Sequence, residues 1–116
     1  MSAPIERPER LVIARYDMPA FTDQIDVTTT AMFDAWLWKL GPTCCCLWQV
    51  LAREIANGVR DVIVADVAQY LGVPKFKLWK ALERLERFGR IRPCADGSLE
   101  VLTATHWPKV PTEVAS

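Results

Sequence analysis

Residues 64–89 read Val64-Ala-Asp-Val-Ala-Gln-Tyr-Leu-Gly-Val-Pro-Lys-Phe-Lys-Leu-Trp-Lys-Ala-Leu-Glu-Arg-Leu-Glu-Arg-Phe-Gly89. Two short apolar-periodic segments meet at Leu71-Gly72-Val73, and the second carries a one-sided basic stripe. The spacing predicts a first helix over 65–71, with Val67, Ala68 and Leu71 on its inner face. Gly72 stands where that helix must end, because glycine enters the left-handed region without a Cβ penalty. Pro74 suits the first turn of a second helix, where a missing N–H costs nothing. Leu78, Leu82 and Leu85 then follow at spacings of four and three, flanked by Trp79 and Phe88, and define the inward face.

The outward face of the second helix is cationic. At about 100° per residue, Lys77, Lys80, Arg84 and Arg87 fall within an arc of roughly 80° that points away from the leucines. The like-charge neighbours Lys77/Lys80 and Lys80/Arg84 each cost about 0.2–0.5 kcal/mol in an isolated helix. A negatively charged partner reverses that sign. Glu83 and Glu86 relieve part of the repulsion through i, i+4 pairs with Arg87 and Arg90.

After Gly89 the pattern changes to Arg-Ile-Arg-Pro-Cys-Ala-Asp-Gly-Ser-Leu-Glu-Val-Leu-Thr. This predicts a β-hairpin: residues 90–92, a turn around Asp96-Gly97, and a return strand over 99–103. A helix, a tight turn, a second helix and a hairpin in immediate succession resemble the winged helix-turn-helix family of DNA-binding domains. The Leu-Gly-Val turn, the Ala81-to-Gly89 end of the second helix and the Asp-Gly wing are similar to those of small bacterial and phage transcriptional regulators, actinobacterial or actinophage ones among them. The resemblance spans residues 61–103 and implies a mainly α, α+β fold with the recognition helix at about 74–88 and the wing at about 90–103. It implies double-stranded DNA as the partner, with Lys77, Lys80, Arg84 and Lys75 in the major groove and Arg87, Arg90 and Arg92 on phosphates.

Two features depart from the family pattern. Ile63-Val64 stand where a Ser or Thr cap is usual, and Pro74, Lys75 and Phe76 stand where the recognition helix usually opens with small polar residues. The recognition helix also carries no Asn or Gln to read adenine, so its donors are Lys and Arg, which suit guanine edges or phosphate.

Upstream, residues 1–27 read as an N-terminal arm broken by Pro4, Pro8 and Pro19, with one strand over 11–16. Thr28-Thr29-Thr30 offer caps for a helix to Leu40, with Phe33, Trp36, Leu37 and Leu40 on one face and Trp38 off it. Gly41-Pro42 end that helix, and Thr43 is expected to cap the next, which runs to about Ala56 with Leu47, Val50, Leu51 and Ile55 as its core stripe. The expected organisation is thus an arm at 1–27, a winged domain with an additional helix at 28–104, and a tail at 105–116. Phe33, Trp36 and Trp38 form a candidate protein interface, for a homodimer or a host protein partner. The Leu40-Gly41-Pro42-Thr43 start of an apolar helix also looks like small regulatory proteins of actinobacterial mobile elements.

The 116 residues suffice for one small domain. Formal net charge is +0, which excludes a histone-like cationic coat. The charge is unevenly placed: residues 75–92 hold seven basic side chains against two acidic ones, so the remainder is net acidic. Asparagine occurs once, at Asn57, beside abundant Ala, Val, Arg and Leu, which hints at a GC-rich genome. The polar N-terminus has no signal-peptide pattern and no apolar run approaches the ~20 residues of a membrane span, so a cytoplasmic protein is expected.

Cys44, Cys45 and Cys46 are consecutive and spread over about 200° of a helix, so they cannot all face one metal. Zinc sites use spaced pairs, which are missing here, so no metal and no cofactor is implied. Small apolar filling is the expected role of these thiols. His106, the single histidine, has no nucleophile motif or phosphate loop to serve, and an enzyme is not expected. Against the DNA reading stands an alternative: a winged-helix module that binds protein through the Trp-rich helix or the wing. The neutral net charge and the missing Asn/Gln favour it.

Overall fold

The computed structural model describes residues 8–16 and 24–105. Along them run β1 (Arg10–Tyr16), β2 (Ile25–Asp26), α1 (Ala31–Leu40), α2 (Pro42–Ala56), β3 (Asp61–Ile63), α3 (Val64–Leu71), α4 (Lys75–Arg87), β4 (Ile91–Pro93), β5 (Leu99–Leu102) and β6 (Ala104–Thr105). Among the described residues the fold is α+β, with four helices, a four-stranded mixed sheet and a two-stranded sheet of β2 and β6. No helix among the described residues is long and apolar enough to cross a membrane.

The two helices expected on either side of Gly72 are present. Gly72 adopts φ 71°, ψ 30°, the left-handed geometry that ends α3, and Pro74 is the residue before α4 rather than the first within it. Its carbonyl accepts from Lys77 N–H at 3.0 Å and Leu78 N–H at 3.3 Å, which starts the helix without a side-chain cap. Leu78, Ala81, Leu82 and Leu85 are buried along α4. The hairpin is present as well. Asp96 accepts from Ser98 N–H at 3.0 Å and Ser98 Oγ at 2.6 Å, and Cys94 N–H closes the turn on Ser98 O at 2.8 Å.

The strand expected over 11–16 exists, but it does not behave as part of an arm. β1 occupies an inner position in a sheet of order β3-β1-β5-β4. Its first residues run antiparallel to β3 (Leu11 opposite Val62) and its last four run parallel to β5 (Ile13 opposite Leu99, Tyr16 opposite Leu102). Leu11 and Ile13 alternate with exposed neighbours and face the core, as a half-buried strand requires. Thr105, expected at the head of the tail, is likewise structural: it is buried in β6 opposite Ile25 of β2. Pro4, Pro19 and His106 lie outside the described residues.

Both N-terminal helices form, with altered caps and faces. Thr30 precedes α1 without a side-chain cap. Thr28 and Thr29 instead donate their hydroxyls to Asp26, at 2.6 Å to the carboxylate and 2.7 Å to the backbone carbonyl. The buried face of α1 is Met32, Ala35, Trp36 and Leu40, so Phe33 is half-buried and Leu37 is exposed, contrary to the expected stripe. Pro42 takes the first turn of α2 with Gly41 before it, and Thr43 is therefore inside the helix and not its cap. On α2 Leu47, Val50 and Leu51 are buried as expected, Ile55 is half-buried, and Cys44, Cys45 and Trp48 join the core.

α2 packs against α1, α3, α4, β1 and β5, and Trp48 is its anchor. The side chain is fully buried, its Nε1–H donates to Leu102 O of β5 at 2.8 Å, and its ring meets Trp36 edge-on with centroids 5.8 Å apart. Substituting Trp48→Ala is expected to lower unfolding stability by about 3–5 kcal/mol in urea titration, since it opens a cavity and orphans a buried carbonyl. A loss below about 1 kcal/mol would contradict this anchoring role.

Candidate nucleic-acid interface

α4 turns its leucines inward, so its opposite face is exposed by construction. Lys77, Lys80, Arg84 and Arg87 stand together there. With Glu83, Ala81 and the first turn of α2 (Thr43, Cys44) they line an open cavity of about 430 Å³. These four of the seven basic residues singled out from the sequence share one surface.

Two aromatic contacts shape this face. The Lys80 Nζ lies 5.8 Å from the centroid of the Phe76 ring, one turn earlier on the helix. The Arg84 guanidinium lies 5.5 Å from that of Phe88 and donates from NH2 to Lys39 O at 2.9 Å. Arg84 therefore does two jobs: it contributes charge to the face and ties α4 to the last turn of α1. Lys39 itself sits 5.6 Å from the Phe88 ring and 5.8 Å from that of Trp38.

The other three basic residues are elsewhere. Lys75 lies on the flank, lining a separate cavity with Glu9, Ile63 and Trp79. Arg92 on β4 is exposed, but it pairs with both carboxylate oxygens of Glu100 at 2.9 and 3.0 Å and stacks over Tyr16 at 4.4 Å. Glu100 also accepts from the Cys94 thiol at 2.9 Å. That bond and the Arg92 pair hold the Glu100 carboxyl below its usual range, and the same bond raises the Cys94 thiol. The β4–β5 hairpin is thus stitched internally.

Arg90 departs furthest from expectation. Placed on phosphate by the family resemblance, it is only 9% exposed. It donates from Nε to Phe88 O at 2.9 Å and from NH1 to Thr105 Oγ1 at 2.8 Å, and its guanidinium lies 4.6 Å from the Trp36 ring centroid. Burial pulls its pKa down from the ordinary arginine value. Arg90 is a structural clamp between the entrance to β4, α1 and β6. Arg90→Met is expected to cost about 1–3 kcal/mol in thermal or urea unfolding through the orphaned carbonyl and hydroxyl. Arg92→Gln, at an exposed pair, should cost distinctly less than Arg90→Met. The reverse ranking would refute this division.

Of the candidate protein interface, Trp36 is buried and Phe33 half-buried, so Trp38 (56% exposed) remains, joined by Leu37 (41% exposed). Cys44 and Cys45 are buried, Cys46 and Cys94 half-buried. Cys44 donates its thiol to Ala81 O at 3.6 Å, a link between α2 and α4. Burial, with Cys44 and Cys46 adding to it, pushes the Cys45 thiol up to about 12. Among the described residues no group of three or more His, Cys, Asp or Glu side chains is placed to hold a metal.

Iodoacetamide at neutral pH should therefore leave Cys45 unmodified in the native protein, as read by peptide mass spectrometry, because the thiolate is the reactive form. Labelling of Cys45 before that of Cys46 would overturn the assignment. Sequence reasoning missed Phe76 on the α4 face and Thr43 of α2 beside it. The signals were there, in the i, i+4 spacing of Phe76 and Lys80 and in Pro42, which fixes the helix start one residue before Thr43. The chain matches no protein-family model, no curated protein and no solved structure.

Proposed function

We propose that this chain is a DNA-binding regulator that lays α4 in the major groove, using the α3–turn–α4 unit and the β4–β5 hairpin as a winged helix-turn-helix. The observation that carries the reading is the gathering of Lys77, Lys80, Arg84 and Arg87 on one exposed face of a helix whose other side is buried. The like charges repel, Glu83 on the same face offsets only part of this, and the phosphates of a duplex would reverse the sign of the remainder. The rigid support beneath α4 favours the same reading, since a recognition helix must be held at a fixed angle to read a groove. Lys75, Arg90 and Arg92 are left out of the proposed contact set. A wing so occupied with its own Arg92–Glu100 pair contributes shape more than charge.

A second reading keeps one specific observation in its favour. Leu37 and Trp38 are exposed side by side on α1, where a homodimer partner or a host protein would find an apolar foothold.

Fluorescence anisotropy with a labelled random-core duplex separates the two. The wild type is expected to bind with an affinity that falls steeply between about 50 and 200 mM salt. Lys77→Gln/Lys80→Gln/Arg87→Gln should weaken binding and flatten the log–log salt slope by about 2.7, one phosphate contact per removed cation. Arg84 is left intact because it also holds α1. Trp38→Ala should leave the titration unchanged. Failure of the folded wild type to bind at about 50 mM salt would reject the DNA reading.

A further inference from the structure

Phe76 is the large apolar side chain on the cationic face of α4, and it is 55% exposed. Isolated exposed apolar residues are common on protein surfaces. Position and company set this one apart. At about 100° per residue, Phe76 lies ~20° from Arg87 and ~40° from Lys80, far from the buried Leu78, Leu82 and Leu85. It sits in the first turn of α4, the end of the second helix that reaches base edges in a helix-turn-helix. The Lys80 ammonium beside its ring, 5.8 Å from the centroid, keeps the two side chains together at that end of the face.

A phenyl ring offers no hydrogen bond to phosphate or to a base edge. The apolar feature that the major groove presents is the C5-methyl of thymine. Resting on the DNA reading above, we propose that Phe76 is a specificity-determining residue that packs against a thymine C5-methyl, with Lys77 and Lys80 on the neighbouring guanine edges or phosphates. This supplies base discrimination to a helix that has no Asn or Gln to read adenine.

The test needs a duplex and one methyl group. A random-core pool is selected on the full chain, and the recurring sequence is remade with uracil replacing thymine at one position at a time. Binding is then read by anisotropy at fixed salt. The wild type is expected to lose about three- to five-fold in affinity at one or two positions, the equivalent of one unburied methyl. Phe76→Ala should bind thymine and uracil equally at those positions while keeping the wild-type salt slope, and Phe76→Leu should restore part of the preference. Circular dichroism confirms that the variants remain folded.

Equal wild-type affinity for thymine and uracil at every position overturns the proposal, as does a preference that survives Phe76→Ala. Selection without a recurring sequence also overturns it, leaving non-specific DNA binding. No duplex binding at low salt rejects the DNA reading itself, and the two failures are therefore distinct.

Discussion

The fold depends on β1 pairing along both of its edges. A two-stranded hairpin such as β4–β5 is marginal in water, and three residues of β3 cannot form a sheet alone. β1 joins them, antiparallel to β3 and parallel to β5, so that one segment ties the entrance of α3 to the β4–β5 hairpin. The joint is continued by backbone bonds beyond the strands: Val64 N–H, at the start of α3, donates to Glu9 O at 2.8 Å, and Ile13 N–H donates to Arg60 O at 2.9 Å. Trp48 then fixes α2 to the far end of β5 through Leu102 O. With α2 set on the sheet and α3 set by β3, α4 is held against α2 by Leu78, Leu82, Leu85 and the Cys44–Ala81 contact.

That scaffold explains why the basic residues divide as they do. Those one and two turns apart on α4, from Lys77 to Arg87, share a face because a helix has no other way to place them. Beyond Gly89 the chain leaves the helix, and the arginines follow the geometry of the strands instead. Arg90 stands just before β4, where its guanidinium lies over Trp36 and is buried with hydrogen bonds to Phe88 O and Thr105 Oγ1. Arg92 alternates outward, where Tyr16 of β1 and Glu100 of β5 meet it. The sheet thereby pairs this cation with a carboxylate and a ring of its own while leaving it exposed, which charge counting along the sequence could not register.

Much of this was legible from local chemistry. The 3.6-residue periodicity of the leucines, Gly72 at a helix end and Asp96-Gly97 in a turn are short-range signals, and the elements they predict are present. Two of the errors share one physical cause. Whether 10–16 is an arm or an inner strand is decided by β3 and β5, which lie far along the chain. Whether Arg90 is a surface cation is decided by Trp36, far back along the chain, and by Thr105, beyond the hairpin. Cap assignment failed for a different reason: a Pro inside the first turn outranks a following Thr, so Gly41-Pro42 set the start of α2 and Thr43 was displaced to the cavity wall.

The Arg84 bond to Lys39 O couples the two surfaces that compete for a functional role. α1 exposes Leu37 and Trp38, and its last carbonyls lie within reach of a side chain on the basic face of α4. A cation at a helix C-terminus is favoured by the partial negative charge of the unsatisfied carbonyls there. Arg84 in that position shares its charge between the end of α1 and whatever approaches α4. The surface on α1 and the surface on α4 are thus not independent, and a partner that shifted the last turn of α1 would also shift the side chain at the centre of the basic face.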